Sequence, residues 1–486
     1  MDLNVTVRRD APQSLREQLE AQLRDGVRAG RLRPGAALPP SRALARELGV
    51  SRGVVVEAYA QLVAEGFLTA RRGAGTAVAD GAAPPAGTRP ATAAAVGPSP
   101  LAPGGRGVAA VAAPADPLAP AYDLRTGRPD LAAFPRAAWQ AATARALRAM
   151  PHSALGYGDP RGAAELRAAL AEHLGRARGV VADPARIVVT SGVTQALGLV
   201  WRALREHGVR RVAVEDPGWR VQRLSVEDAG LEAAPVPVDA HGLDVDALHA
   251  SGAQAVAVTP AHQFPTGVVL APERRAALAA WAAETGGVIV EDDYDAEYRY
   301  DREPVGALQG LAPEHVVYAG SASKTLAPGL RLGWLVLPGA LAPAVAERRD
   351  LADHGGPVLG ELALAELLRR GVVDRHLRRT RRRYRARRDA LLGALARELP
   401  AVRPGGIAAG LHLVAWLPDD LDEAALAAAA AARGVAVHAL HADCTTVAPR
   451  PGALLLGYAL LPEPALERAA ALLAGAMAAR HELSTR

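Results

Sequence analysis

Three residue types are almost missing from this chain of 486 residues, which has one cysteine, one lysine and one asparagine. A single cysteine, Cys444, excludes a disulfide framework and any zinc or iron–sulfur site built from several cysteines, and we expect no metal site. It is also typical of a reducing compartment. The N-terminus has no apolar export segment, and no run of ~18 apolar residues occurs. We therefore expect a cytoplasmic protein with no membrane contact.

The scarcity of lysine is informative because cations are not scarce. Lysine and arginine together number 56, and all but Lys324 are arginine. A composition rich in alanine, glycine, proline and arginine explains the bias without any function. A lysine that persists against such a bias often does what a guanidinium cannot, such as losing its proton to become a nucleophile. Lys324 is therefore the first candidate catalytic residue.

The length predicts two or three domains, and the composition indicates where they separate. Residues 80–121 contain 15 Ala, 9 Pro and 6 Gly without a hydrophobic period, which predicts a linker between residues 1–79 and 122–486. A flexible linker of ~40 residues spans about 35 Å. Residues 1–79 hold 12 Arg and 8 acids, so most of the net charge of +5 lies there.

Apolar periodicity in residues 1–79 predicts three helices followed by a hairpin. Apolar residues recur every four positions from Leu15 to Val27, a second helix follows Ser41, and a third follows Ser51. Two short β-rich runs then flank residues 71–75. This order is that of a winged helix-turn-helix, although a generic three-helix module with solvated arginines is the alternative.

Several polar residues of this domain suit contact with DNA. A hydroxyl and a guanidinium at the start of the third helix can bind phosphate and reach base edges, and a basic, glycine-containing wing suits the minor groove. The segments 38–52, 59–66 and 73–76 closely resemble the DNA-binding domain of GntR-family regulators. That resemblance implies contact with operator DNA by the following residues: Arg42, Ser51, Arg52, Arg71, Arg72, Gly73, Gly75 and Thr76.

From about residue 155, short β-rich runs alternate with Ala- and Leu-rich helical segments, which predicts an α/β domain with a mainly parallel sheet. Ligands of such sheets bind beyond the carboxyl ends of the strands. Three polar motifs follow predicted strands: Ser191-Gly192-Val193-Thr194, Glu291-Asp292-Asp293-Tyr294-Asp295, and Gly320-Ser321-Ala322-Ser323-Lys324 with Arg331 seven residues later. Each motif alone also suits an ordinary helix cap or loop.

Taken together, the three motifs match the needs of pyridoxal 5′-phosphate (PLP). A lysine can form a Schiff base with its aldehyde, a carboxylate can pair with its pyridine nitrogen, and hydroxyls, backbone amides and an arginine can hold its phosphate. A phosphate ligand alone would not need the lysine, and a dinucleotide site would have a different glycine pattern.

Longer stretches resemble fold-type I aminotransferases, and specifically the aminotransferase-like domain of MocR-type, GabR-like regulators. They are residues 157–162, 190–192, 215–219, 259–267, 291–295 and 321–333. The resemblance implies that Lys324 forms the Schiff base, Asp292 pairs with the pyridine nitrogen, Tyr294 bonds the phenolic oxygen and Trp219 stacks on the ring. It also implies a phosphate site: Ser191, Gly192, Val193, Ser321, Ser323 and Arg331.

The expected fold is therefore multidomain. A winged helix-turn-helix is joined by a linker to an α/β aminotransferase-like domain with a large subdomain, about 155–345, and a smaller α+β subdomain, about 385–486. Two departures from aminotransferases stand out: Phe264 replaces the usual Asn before Pro-Thr-Gly, and Leu455 replaces the usual substrate-binding Arg. A leucine cannot bind a carboxylate, which puts ordinary amino-acid binding in doubt.

The resemblance implies a regulator that binds operator DNA as a head-to-tail homodimer and senses PLP or a PLP–amino acid adduct. Leu455 favours PLP itself as the effector. The alternatives are an active aminotransferase with an accessory DNA-binding head, and a DNA-binding protein whose C-terminal domain is only a dimerisation scaffold. The run from Arg375 to Arg388, with nine arginines and no acid, suits either a solvated helix face or a supplementary contact with the DNA backbone.

Overall fold

The computed structural model describes residues 5–9, 11, 13–71, 75–79, 120–301, 305–445 and 451–484. Most of the proposed linker, residues 80–119, lies outside them. In the described residues no helix is long and apolar enough to cross a membrane.

The N-terminal domain, here called the head, is a three-helix unit with a two-stranded wing. Its elements are α1 Leu15–Arg28, α2 Ser41–Glu47, α3 Arg52–Glu65, β1 Leu68–Arg71 and β2 Gly75–Val78. Ser14 and Glu17 form a reciprocal capping box at the start of α1, which satisfies two helix-end donors. Gly66 ends α3 with a φ of 85°, a left-handed conformation that glycine adopts without strain.

The C-terminal domain, here called the body, is built of eleven described helices and fourteen described strands. The helices are α4 Arg136–Ala149, α5 Ala164–Arg178, α6 Val193–Glu206, α7 Arg220–Asp228, α8 Val245–Ser251, α9 Pro272–Thr285, α10 Ala342–Asp353, α11 Val358–Arg369, α12 Val372–Glu398, α13 Glu423–Ala431 and α14 Glu463–Ser484. The strands are β3 Tyr122–Asp123, β4 Ile187–Thr190, β5 Arg211–Asp216, β6 Glu232–Asp239, β7 Gly242–Leu243, β8 Ala255–Val258, β9 Val288–Asp292, β10 Val316–Ser321, β11 Gly333–Val336, β12 Arg403–Gly405, β13 His412–Trp416, β14 Val435–Ala436, β15 His438–Ala439 and β16 Ala453–Gly457.

Eight strands form the large sheet, in the order β4-β11-β10-β9-β8-β5-β6-β7. Neighbours from β10 through β6 are parallel, whereas β11 runs antiparallel to both β10 and β4. The carboxyl ends of β4, β5, β8, β9 and β10 therefore meet at one edge. Helices cover the sheet, and strands β4, β8 and β10 are buried along their whole length, as expected for a sheet covered on both faces.

The smaller subdomain contains a four-stranded sheet in the order β12-β13-β16-β15. The first strand of the body belongs with it, because β3 pairs in parallel with β14. Helix α12 joins the two subdomains and packs against α14. The prediction of a helix-turn-helix domain followed by a large α/β domain and a smaller subdomain is confirmed.

The head packs directly on the body. Gly66, at the end of α3, lies so close to Leu311 and Arg275 that a methyl group on Gly66 would come within 3.3 Å of Leu311 Cδ1. Arg275 is fully buried and donates to Glu65 O at 3.2 Å and to Gly306 O at 2.7 Å. Arg28 of α1 donates to two further carbonyls of the body, Gly310 O and Gly179 O. Two arginines thus bond across the contact between head and body, Arg28 from the head and Arg275 from the body.

Candidate cofactor site and DNA-binding face

A cavity of about 280 Å³ lies at the carboxyl edge of the large sheet. Its walls come from the segments that follow β4, β5, β8, β9 and β10, and from the loop that leads into β11. The described residues that line it are Thr126, Gly127, Val193, Thr194, Trp219, Thr259, Phe264, Asp292, Tyr294, Ser321, Ser323, Lys324, Pro328, Arg331, Leu411 and His412. This position is the expected one, because ligands of such sheets bind beyond the carboxyl ends of the strands.

Lys324 reaches into this cavity from the segment after β10. Its Nζ donates a hydrogen bond to Gly127 O at 2.7 Å. Burial lowers the pKa of the Lys324 ammonium, while the nearby carboxylates of Asp295 and Asp292 oppose that shift. A lowered pKa makes the neutral amine more accessible, and the neutral amine is the nucleophile. Gly127 permits the close approach, because a methyl group there would lie 2.9 Å from Lys324 Nζ.

Asp292 ends β9 and is 4% exposed. Burial raises the pKa of its carboxyl to about 7, the charge of Asp293 adds to the shift, and Lys324 opposes it. Its Oδ1 is buried and has no hydrogen-bond partner among the described residues. A buried acceptor that lacks a partner is costly, and a donor from a ligand in the cavity would satisfy it.

Tyr294 is held by a histidine that the sequence analysis did not single out. Its hydroxyl oxygen lies 3.0 Å from His262 Nδ1, and that nitrogen also lies 3.1 Å from Asp295 Oδ2. The ring of His412 is 5.2 Å from that of His262, and His412 Nε2 lies 3.1 Å from Pro265 O. The three buried groups His262, Asp295 and His412 have ligand-type atoms within 4.8 Å of one another, a spacing that would also suit a metal ion. Their hydrogen bonds to Tyr294 and to the Pro265 carbonyl show that these residues hold neighbouring groups in place.

The far side of the cavity suits an anion. Helix α6 begins there after Gly192, and no side chain caps its first turn, so its backbone amides remain available to an anion. The Arg331 guanidinium lies beside Gly192 and donates to Ser191 O. The hydroxyl-bearing Ser321 and Ser323 line the same cavity. An arginine, hydroxyls and a helix N-terminus together fit a phosphate group.

The donor set of this cavity fits PLP. A lysine amine, a buried carboxylate with a free acceptor atom, a tyrosine hydroxyl and an anion-binding end surround a space large enough for one such ring. Eight of the ten residues expected to bind the cofactor line the cavity. The other two, Ser191 and Gly192, lie behind Arg331 and contact its guanidinium.

Sequence reasoning missed part of this lining. Thr126 and Gly127 follow the first strand of the body, far in sequence from the other motifs, and Leu411 and His412 come from the smaller subdomain. The glycine in Arg125-Thr126-Gly127-Arg128 was a weak signal of a close backbone approach. Nothing in the local pattern around His412 indicated a pocket.

The two departures from aminotransferases, Phe264 and Leu455, belong to one apolar cluster. Leu455 lies in β16, is fully buried, and forms a small apolar cluster with Val414, Leu440 and Ala453, against which Phe264 packs. Phe264 also lines the cavity, whereas Leu455 does not. Among the described lining residues the only cations are Lys324 and Arg331. If Lys324 binds an aldehyde and Arg331 binds a phosphate, the described residues that line the cavity offer no further cation to a substrate carboxylate.

The proposed DNA-binding residues of the described head lie on its surface. Arg42, Ser51 and Arg52 are exposed, Ser51 caps α3, and Arg52 Nε donates to Ser41 Oγ at 3.4 Å. Gly75 and Thr76 lie in β2, which pairs with β1. Arg71 is in β1 but its side chain, like Arg72 and Gly73, lies outside the described residues. The helix start and the described part of the wing are therefore open to a ligand.

Comparison with known proteins agrees with both halves of this description. Residues 15–78 match the model of bacterial regulatory proteins of the gntR family, and residues 121–473 match that of class I and II aminotransferases. The solved structure of the α-aminoadipate aminotransferase LysN from Thermus thermophilus, complexed with N-(5′-phosphopyridoxyl)-L-leucine, is 30% identical. It has a TM-score of 0.67 and covers 74% of this chain and 93% of its own.

Two regulators are similar over nearly the whole chain. The pyridoxine biosynthesis transcriptional regulator PdxR of Corynebacterium glutamicum is 34% identical over 90% of this chain and 91% of its own. The probable rhizopine catabolism regulatory protein MocR of Rhizobium meliloti is 34% identical over 93% of this chain and 91% of its own. This chain therefore belongs to the MocR-type transcriptional regulators of the gntR family, in which a helix-turn-helix domain is joined to a class I and II aminotransferase domain.

Proposed function

We propose that this regulator binds PLP at Lys324 and that occupancy of the site sets the affinity of the head for operator DNA. The observation that carries the proposal is Lys324 Nζ in a cavity that also holds a buried, unpartnered oxygen of Asp292. PLP supplies an aldehyde that amines attack and a pyridine ring that withdraws electrons. Asp292 would accept a hydrogen bond from the ring nitrogen, Tyr294 would bond the phenolic oxygen, and Arg331 with the start of α6 would hold the phosphate.

The effector that the cavity suits best is PLP itself. Trp219 and Phe264 provide apolar walls, and the described lining lacks a third cation that would grip an amino-acid carboxylate. An active aminotransferase is the second candidate, because the lysine, aspartate and tyrosine that such an enzyme needs are all present. The apolar cluster around Leu455 argues against it.

The acids beside Asp292 support a link between the cavity and the head. The Glu291 carboxylate accepts from Leu308 N at 2.8 Å and from Gln309 N at 2.9 Å. Asp293 pairs with the buried Arg178 at 2.7 Å, and Arg178 donates to Val305 O. These bonds fix residues 305–310 and the neighbouring Gly179. Arg28 donates to the carbonyls of Gly179 and Gly310, and Arg275 donates to that of Gly306. A change at Asp292 therefore has a short bonded route to the docking site of the head.

The test uses the fact that Lys324 is the only lysine. PLP is titrated into the cofactor-free protein and followed by absorbance, then fixed with borohydride, and the modified peptide is identified by mass spectrometry. We expect one cofactor per chain on Lys324. Lys324→Arg keeps the charge and is expected to lose both the absorbance band and the attachment. An unchanged band in that variant would reject the proposal.

A second measurement addresses regulation and the alternative enzyme. Operator affinity is compared with no ligand, with PLP, and with PLP plus a panel of amino acids, in wild type and Lys324→Arg. We expect PLP alone to change the affinity of the wild type only. Multiple turnover of an amino acid with a keto-acid acceptor would favour the aminotransferase instead.

We also propose that the chain forms a homodimer. Leu155 and Tyr157 are 63% and 93% exposed and line, with Met150 and His354, a groove of about 850 Å³. Exposed large apolar side chains clustered in this way are typical of a surface covered by another protein. A second copy of this chain is the occupant that the family resemblance implies.

A further inference from the structure

Seven of the nine arginines in the basic segment of α12, residues 375–388, fall into two sets with different surroundings. The inner set is held by the protein. Arg381 donates twice to Glu297 O, and Arg383 and Arg387 both pair with Asp130, at 2.8 Å and 3.1 Å. These side chains fasten α12 to the rest of the body.

The outer set is exposed and has no described partner. Arg375, Arg378, Arg382 and Arg385 are all exposed, and within the described part of the chain none of their side chains has a hydrogen bond or an ion pair. Their spacing of three, four and three residues puts them on one face of the helix, over about 15 Å at a rise of ~1.5 Å per residue. We call these four residues the arginine stripe.

Acids at either end of the arginine stripe are already paired elsewhere. Asp374 pairs with Arg176 at 2.9 Å, and Asp389 pairs with Arg388 at 3.5 Å. Like charges three and four residues apart destabilise a helix, so the stability of α12 does not account for the stripe. A solvated helix surface usually mixes both signs of charge, and this face has one sign only.

The arginine stripe begins beside the DNA-binding head. Arg378 lines the cleft between α12 and the head, where α1 contributes both arginines and acids, among them Arg24 and Glu20. A DNA duplex presents one phosphate charge per ~1.7 Å of its axis, so a face about 15 Å long is long enough to span several phosphates. Arginine is well suited to bind them, because its guanidinium matches phosphate geometry.

We propose that the arginine stripe binds the phosphate backbone of duplex DNA beside the operator half-site that the head holds. The body of this regulator then adds a sequence-independent contact to the sequence-reading contacts of the head. Such contacts raise affinity and orient the protein on the duplex, while base contacts select the sequence.

The test is the salt dependence of operator binding by the full-length protein. The stripe variant carries Arg375→Gln, Arg378→Gln, Arg382→Gln and Arg385→Gln. The control removes the same charge at four exposed arginines elsewhere on the body: Arg202→Gln, Arg397→Gln, Arg403→Gln and Arg433→Gln. In the stripe variant we expect the slope of log affinity against log salt to become shallower by about 0.9 for every phosphate that the protein no longer binds. The control is expected to keep the wild-type slope.

A second arm varies the DNA. On a duplex trimmed to the half-site, the stripe variant and wild type should have the same slope, because the flanking phosphates are gone. If the fourfold variant fails to fold, Arg382→Gln with Arg385→Gln, the pair farthest along α12 from the head cleft, is measured instead.

Two outcomes would overturn the proposal. One is an equally shallow slope in the control, which would indicate overall charge alone. The other is a wild-type slope in the stripe variant on the long duplex; if the same variant also loses binding to vesicles of 80% phosphatidylcholine and 20% phosphatidylserine, the stripe is assigned to anionic lipid.

Discussion

At the scale of single residues, burial shifts the two main ionisable groups of the cavity toward their neutral forms. It lowers the pKa of Lys324 and raises that of Asp292 to about 7, and the charge of each partly offsets the shift of the other. In the cofactor-free site the Asp292 carboxyl, with a pKa of about 7, therefore changes its charge near neutral pH. A protonated ring nitrogen beside Asp292 would favour its charged form.

Asp292→Asn is expected to change how the stability of the cofactor-free protein depends on pH. The folded carboxyl has its pKa raised to about 7 from 3.8, so between these values the folded state binds the extra proton and loses stability as pH rises. A shift of this size corresponds to roughly 4 kcal/mol at most. When the free energy of unfolding is measured with denaturant at pH 5 and at pH 8, the fall between the two pH values should be smaller in the variant than in the wild type. Equal losses in both proteins would contradict the assigned pKa.

Leu455→Arg tests whether the missing arginine can simply be restored. Leu455 is surrounded by apolar side chains and does not reach the cavity, so the new guanidinium would be buried without a partner. We expect a loss of about 3–5 kcal/mol in the free energy of unfolding and no gain in amino-acid binding. Leu455→Met, which keeps the apolar contacts, serves as the control. Tight amino-acid binding by a stable Leu455→Arg protein would show that our description of this wall is wrong.

The sequence predicted those residues of the site that directly follow a strand. A strand and the short motif after it can both be recognised from neighbouring residues, and ligands bind beyond the carboxyl ends of such strands. It did not predict Gly127 or His412, since their positions depend on β3 pairing with the smaller subdomain and on how that subdomain closes over the sheet. The sequence also predicted only part of the role of Leu455. The sequence indicated that the usual arginine for a substrate carboxylate is absent, but only the packing shows that Leu455 and Phe264 belong to the same apolar cluster.

At the scale of secondary-structure elements, the antiparallel strand β11 shapes the anion site. It lies between β4 and β10, and its first residue, Gly333, pairs with Thr190 and Ser321. The sequence marked β11 as a strand but not its direction. Because its start meets the ends of β4 and β10, Arg331 is delivered to the start of α6.

Gly333→Ala is expected to disturb this anion site. A methyl group at Gly333 would lie 2.9 Å from the backbone of Gly192, which cannot move as freely as a side chain can. We expect PLP affinity to fall about tenfold, which corresponds to ~1.4 kcal/mol, measured by absorbance titration. Gly329→Ala is the matched control, because nothing lies within 4 Å of the added methyl. If Gly333→Ala and Gly329→Ala bind PLP with equal affinity, Gly192 does not contribute to phosphate binding.

Arg275→Met is expected to loosen the head. The buried Arg275 of the body donates to Glu65 O at the end of α3 and to Gly306 O of the body, so its removal takes away one direct bridge to the head and leaves a nearby carbonyl of the body without its donor. A loss of roughly 1–3 kcal/mol at this interface should appear as faster hydrogen exchange in α1 and α3. Arg211→Met, at an arginine outside this interface, is the control. Exchange that increases in the large sheet but not in the head would point to damage in the body instead.

At the scale of the whole molecule, the regulator combines a cofactor cavity with a DNA-reading head, joined by bonds that run through residues 305–310. Coupling requires that the ligand favour one arrangement of head and body over another. The buried acids on either side of Asp292 provide bonds that such a preference can act through. We propose that two such units operate together and meet at the groove lined by Leu155 and Tyr157.

Tyr157→Glu combined with Leu155→Glu is expected to separate the dimer. The two side chains are among the most exposed large apolar groups of the described chain, and a second copy covering them would have to bury two carboxylates. The mass measured by light scattering at micromolar concentration should fall from two chains to one, while thermal unfolding changes little because both positions are exposed in the single chain. Ala432→Glu, at an exposed position on the smaller subdomain, should leave the mass unchanged. A dimer that persists in the double variant would locate the interface between copies on a different face, and the groove would then need another occupant.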